Sequence, residues 1–272
     1  MSARTFSFLV LTIVAIPALA QTSSEPNRKL PGQAKPVQGV AMPVPKEIFR
    51  SLDQFPNANW RSVQRPEIVS WKSHGDPVQI ATLLGIAIAE GFIAMEAKDS
   101  TEVKEVGNSV LKLARGLGVR ERALRRSRSI MDLADRAEWS RARKEWDSVL
   151  SDLEKGMIEL KSSDLTQLVS LGGWLRGSEA LSALVLQDYS AERAELLRQP
   201  GLIDYLEKQL LDMNREIRRR SLVAQMLNGI RAIRTMVDRE AGAVSDDTAR
   251  KIHAICEELV RVSSQRPTEL SP

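Results

Sequence analysis

The hydrophobic pattern along the chain is dominated by one run, Asp76 to Asp99, DPVQIATLLGIAIAEGFIAMEAKD. Asp76 and Pro77 read as an N-cap residue followed by a first-turn proline. From Ile80 to Met95 the residues are apolar or small, and Glu90 is the only charge among them. A helix that is apolar all round is buried in a core or in a membrane. A span takes about 20 residues with few charges, and Glu90 and Glu96 fall inside any such window. The run therefore reads as the central buried helix of a soluble helical domain.

The segments that follow repeat the helical period. Asp99-Ser100-Thr101-Glu102 has the form of a capping box, with Glu102 reaching back to the cap. Val103, Val106, Val110, Leu113 and Leu117 then make one apolar face, ended by Gly116 and Gly118. The short connection predicts an antiparallel pair. Residues 119–136 continue with Val119, Ala123, Ser127, Ile130 and Ala134. Residues 138–161 carry the clearest seam: Trp139, Ala142, Trp146, Val149, Leu153, Met157 and Leu160.

Residues 164–187, DLTQLVSLGGWLRGSEALSALVLQ, resemble the central run, with Asp164 as the cap. An offset of 89 residues places Glu90 on Glu179, Ala94 on Ala183 and Asp99 on Asp188, a faint internal repeat. Gln199-Pro200-Gly201 breaks the chain. One long pattern runs from Leu202 to Val237 with a kink expected near Asn214, and Ser245 caps a last helix carrying Ile252, Cys256 and Leu259.

The N-terminus has a different character. Arg4, the apolar stretch Phe6–Ile16, and Ala18-Leu19-Ala20 have the three parts of a secretory signal peptide over residues 1–20. Position 21 is Gln, so the processed chain would lack the cysteine that lipoproteins acylate. Residues 21–46 hold Pro26, Pro31, Pro36, Pro43 and Pro45 and read as a disordered tether. Residues 47–75 form a transition. A short helix from Lys46 to Phe55 is expected there, and Trp60 and Trp71 are expected to anchor the segment on the helical body. A single helical domain over 47–264 and a disordered tail over 265–272 complete the division.

Composition agrees with helices. Of the 272 residues 43% are hydrophobic and 27% charged, but only 4% are aromatic, which disfavours sheets. The fold class expected is all-α: stacked antiparallel helical hairpins, as a bundle or short α-solenoid. The 39 Lys and Arg against 35 Asp and Glu give +4, which becomes +3 once Arg4 is removed with the signal peptide. So small an excess does not point to nucleic acid. With Cys256 as the single cysteine, no intramolecular disulfide can form.

Chemical motifs are sparse. There is no nucleotide-binding glycine motif, no HExxH and no CxxC, and no cofactor is implied. The two histidines, His74 and His253, do not follow a Glu by three, which excludes the paired Glu-x-x-His metal site of helical bundles. His253 and Cys256 lie three apart, but two ligands do not make a zinc site. Glu90 is the sharpest candidate, because a carboxylate in an apolar helix must be neutralised, hydrogen-bonded or paired. Arg176 is the partner expected for it, with Glu179 nearby. The competing role is an acid or base in an inter-helix cleft. Gly85, Ala89, Gly173 and Gly177 suit close helix approach. Arg115, Arg120, Arg122, Arg125, Arg126 and Arg128 are opposed only by Glu121 and form a candidate anion-binding face, with Arg218-Arg219-Arg220 as a second basic run.

The sequence thus leads to an exported chain, periplasmic or extracellular and soluble after cleavage near Ala20. It is expected to be a non-enzymatic binding or scaffolding protein, its partner a protein or another component of the cell envelope. A Glu90 enzyme and a peripheral protein making weak contact with anionic membrane are the alternatives. The mature chain is expected to begin at Gln21. N-terminal sequencing of protein from the exported fraction checks this, and a start at Met1 refutes it.

Overall fold

The computed structural model describes residues 44–119, 127–159 and 162–265. These residues form an all-α structure with no strand among them. The helices are α1 (Val44–Leu52), α2 (Pro77–Glu96), α3 (Ser100–Gly116), α4 (Ser127–Asp135), α5 (Trp139–Glu159) and α6 (Ser163–Gln187). They continue with α7 (Ala191–Ala194), α8 (Pro200–Asp212), α9 (Arg215–Arg218), α10 (Ser221–Arg239) and α11 (Asp246–Ser263). Two 3-10 turns, Trp60–Val63 and Pro66–Ser70, lie between α1 and α2. The signal peptide, nearly all of the proline-rich segment, Arg120, Arg122, Arg125, Arg126, Leu160 and the tail after residue 265 lie outside the described residues. Helix α1 begins at Val44, inside the segment expected to be a tether.

Helix α2 is the centre. Asp76 caps it by accepting from the Val78 amide at 3.1 Å, and every residue from Val78 to Met95 is buried. By length and composition it could cross a membrane, but it is enclosed entirely by protein. Its main partner is α6, whose residues from Leu168 to Ser182 are all buried. Gly85 and Ile86 meet Val169, Gly172 and Gly173, further along Glu90 meets Arg176, and Phe92 and Gly177 both reach α1 at Phe49 and Ile48, so the two helices run in the same direction. A Cβ on Gly85 would stand 1.9 Å from Val169 O, and one on Gly172 would stand 2.2 Å from Thr82 O. Backbone therefore touches backbone, and only glycine permits it. Gly177 instead makes room for the Ile48 side chain of α1, and Gly91 for the Trp146 ring of α5.

The other helices wrap this pair. Helix α3 packs on α2, α11 and α1 on α6, α4 on α5, and α10 on both α11 and α8. Phe92 of α2 is a meeting point. The Phe49 ring stacks on it at 4.3 Å, Trp60 meets it edge-on at 6.3 Å, and the Arg143 guanidinium covers it at 3.8 Å. At the far end Gln79 Nε2 donates to the carbonyls of Ser263 (2.9 Å) and Gln265 (2.6 Å), tying the end of α11 to the start of α2.

Three connections use the same local device. Lys98, Gly118 and Ala137 take positive φ, and the next amide reaches back to the fifth carbonyl before it: Asp99 to Ala94, Val119 to Ala114 and Glu138 to Leu133. This closes the helix C-terminus. The long pattern after Gln199 is not one kinked helix. It breaks after Asp212, where Asn214 accepts from the Glu216 amide at 2.8 Å and donates its own amide to Asp164. It breaks again after Arg218, leaving α8, α9 and α10. Helix α6 starts at Ser163, and Asp164 serves that break rather than capping α6.

The glycine contact gives a direct test. Gly85→Ala should cost about 3 kcal/mol, the upper part of the range for overpacking, because the obstructing atoms are backbone. Gly116→Ala, whose Cβ would sit an ordinary 3.5 Å from Ile80, should change stability by less than about 1 kcal/mol. Denaturant melts of the two variants measure the contrast, and equal stabilities would contradict the crossing.

Candidate functional site

The polar centre of the molecule is built on the α2–α6 contact. Glu90 stands at full burial on α2, and Arg176 and Glu179 stand one turn apart on α6, both within 2% of complete burial. Arg176 Nε donates to Glu90 Oε2 at 2.8 Å, and Nη2 lies 2.7 Å from the same oxygen. Its Nη1 reaches Glu179 Oε2 at 3.4 Å, and its Nη2 also donates to the Val63 carbonyl.

The second cation is Arg65, which lies on no helix. It precedes Pro66, which favours an extended backbone, and its amide is free to donate to Glu90 Oε1 at 2.8 Å. Its side chain folds back onto α6 and α11, with Nε 2.8 Å from Glu179 Oε1 and Nη2 2.7 Å from Glu257 Oε1. Burial alone would lower the Arg65 pKa. The Glu179 charge and hydrogen bond, joined by Glu257, outweigh it and raise the value. Two cations thus face two buried carboxylates and one half-exposed one. Pairing of this kind is what a buried charge requires, because an isolated one costs several kcal/mol.

The network locks four parts of the chain together. It joins α2, α6 and α11 to the strap formed by the two 3-10 turns. His253 adds to it from α11. Its Nδ1 is 3.2 Å from the Glu179 carbonyl and 3.2 Å from Ser182 Oγ. A carbonyl can only accept, so Nδ1 carries the proton. Cys256, one turn on, is fully buried, and burial with the Glu179 charge pushes its thiol far above the usual range. His253 and Cys256 are both engaged in packing. Among the described residues no group of three His, Cys, Asp or Glu could hold a metal ion.

The structure therefore brings Glu90, Arg176 and Glu179 into one cluster. Of the arginine face, Arg115 near the end of α3 and Arg128 at the start of α4 are described, and both are exposed. The basic run Arg218-Arg219-Arg220 is also exposed. Arg218 donates to the Leu211 carbonyl at 2.5 Å, and Arg220 lies 3.2 Å from Asp76. The repeat noted at an offset of 89 residues brings Glu179 beside Glu90, but does not extend outward. Asp99 caps the start of the 17-residue α3, whereas Asp188 is the C-cap of α6 and Ser190 caps the start of a four-residue α7.

Sequence reasoning did not find Arg65 or Glu257. Neither lies in an apolar stretch, so nothing in the pattern marks them. It also assigned Glu102 a different role. The capping box is half formed: Asp99 accepts from the Glu102 amide at 3.1 Å, but Glu102 does not reach back. The Asp99 amide already donates to Ala94 O at 3.0 Å, so no donor remains at the cap. The Glu102 side chain turns inward instead, only 6% exposed, and its buried Oε1 has no hydrogen-bond partner. Burial, then the charges of Glu90, Glu105, Asp99 and Glu67, push its carboxyl up to about 7.

No known protein-family model, curated protein or solved structure matches the chain.

The pairing predicts a coupled response. Glu90→Gln and Arg176→Met should each cost about 3–5 kcal/mol, since each strands charge in the core. Arg176→Met should cost the more, because it leaves Glu90 and Glu179 to Arg65 alone. The double variant should cost less than the sum. Strict additivity in a double-mutant cycle would refute the coupling.

Proposed function

We propose that the chain is an exported, non-enzymatic helical protein that binds or scaffolds a component of the cell envelope. In this reading stacked antiparallel hairpins are built around the parallel α2–α6 pair, and a signal peptide and a proline-rich tether precede them. The observation that carries it is how the core uses its charges. Glu90, the one residue whose setting suggested acid–base work, has its two oxygens occupied by the Arg65 amide and the Arg176 guanidinium, and it has no solvent exposure. A general acid or base must reach the proton it transfers. The geometry of Glu90 favours a structural role and leaves the outer helix faces as the working surface.

Contact with anionic lipid through the arginine face is the second reading, favoured by the exposure of Arg115 near the end of α3 and Arg128 at the start of α4. One sedimentation experiment separates the two. Mature chain mixed with isolated envelopes should sediment with them saturably and be displaced by unlabelled chain. Binding to purified anionic vesicles that disappears on raising salt would support the lipid reading instead. Failure to bind envelopes at any concentration would overturn the proposal.

A further inference from the structure

The chain turns twice between α8 and α10, and the turning segment faces solvent. From Leu211 to Arg220 only Met213 and Ile217 point inward, Met213 to 4% exposure and Ile217 against the core. Every other residue of the segment is exposed. Two apolar side chains thus anchor a convex corner that carries Arg215, Arg218, Arg219 and Arg220.

Most carboxylates near this corner are already engaged. Asp212 is bonded by Lys208, Asp164 accepts from the Asn214 amide at 3.1 Å, and Asp76 lies 3.2 Å from Arg220. Arg218 donates to the Leu211 carbonyl at 2.5 Å, which holds the group in place without neutralising it. Among the described residues no carboxylate pairs with Arg215, Arg218 or Arg219, and Glu216 is the one acid left on the corner to oppose them.

An apolar side chain stands among these cations. Leu211 is 37% exposed, and Tyr189, at 40%, is the other large exposed hydrophobic among the described residues. Tyr189 has its hydroxyl bonded to Val244 O at 2.8 Å. A lone exposed leucine needs no explanation. One set among uncompensated guanidinium groups matches a lipid interface, where anionic phosphate lies outside and apolar chain within. The corner also lies beside the other basic run. Arg220 reaches Asp76, the cap of α2, and Gly116, next to Arg115, faces Ile80 at the start of the same helix. A flat surface applied to this end of the molecule meets both.

We propose that the corner from Leu211 to Arg220 is the seat of contact with an anionic bilayer: Arg215, Arg218 and Arg219 take lipid phosphates, and Leu211 enters among the upper acyl chains. The assignment rests on the lipid reading and adds a second foothold to the arginine face of α3 and α4. Arginine suits the task, because its planar fork takes phosphate oxygens in pairs and is weakly hydrated. Near an anionic bilayer each cation strengthens binding roughly fivefold, and salt screens the attraction. Leu211 adds an apolar contribution that acts on lipid and not on a soluble polyanion.

Sedimentation of the mature chain with vesicles of phosphatidylglycerol and phosphatidylcholine at low salt tests the site. Wild type should bind these vesicles and not pure phosphatidylcholine. Changing both Arg215→Gln and Arg219→Gln should weaken binding roughly tenfold or more. Neither side chain has a bonded partner among the described residues, so the thermal melt should stay as in wild type. Leu211→Ser should weaken binding roughly fivefold. Loss with the arginine pair but none with Leu211→Ser would mean recognition of a polyanion by charge alone, and would overturn the proposal. Loss with Arg128→Gln but none with the corner variants would leave the lipid reading standing and overturn this site. No binding by wild type would overturn both.

Discussion

Backbone contact between α2 and α6 is the constraint on which the remaining structure depends. At Gly85 and Gly172 the helices are too close for any side chain to intervene. That proximity is what lets the short reach from α2 to α6 bring Glu90 and the Arg176 guanidinium into register. The charges in turn define the crossing. Apolar helices slide past each other at little cost, whereas a buried carboxylate with two fixed donors permits one register. Packing supplies the stabilisation and the ion pair supplies the uniqueness.

The charged centre also explains how an irregular segment is held. The two 3-10 turns have no long hydrogen-bond ladder and little apolar surface beyond Trp60, Val63 and Ile68. Their carbonyl and amide groups become partners for the buried side chains. Arg176 takes Val63 O, and Glu90 takes the Arg65 amide. Without the strap, Glu90 would keep one oxygen unsatisfied and Glu179 would have only a long bond to Arg176. The segment that looks least structured in sequence completes the core.

Much of this was legible in the residues. Periodicity places α2, α3, α5, α6 and α11 within a few residues of their limits, and the apolar setting of Glu90 marks it as needing a partner. The features that were not legible share a cause: they depend on competition for a single backbone group. Glu102 has the right spacing for a capping box, but the Asp99 amide is claimed by the end of the preceding helix. Asn214 sits in a continuous apolar pattern, yet its amide and side chain turn the chain with help from Asp164, fifty positions earlier. Arg65 has no periodic neighbours at all. Short-range pattern cannot weigh a local bond against one offered by a distant part of the chain.

The tie between Gln79 and the carbonyls of Ser263 and Gln265 bears on when the molecule can fold. Residues 184 and 186 positions apart meet there, and the Arg65–Glu257 bond spans 192 positions. The two central helices precede α11 in the chain, yet α11 is part of the surface that encloses α6. A nascent chain lacking α11 has a long apolar helix pair with its lid missing and a charge cluster one acid short. Closure of the core therefore depends on contacts of long sequence separation, which form slowly. Until it occurs the apolar faces of α2 and α6 are open to other apolar surfaces.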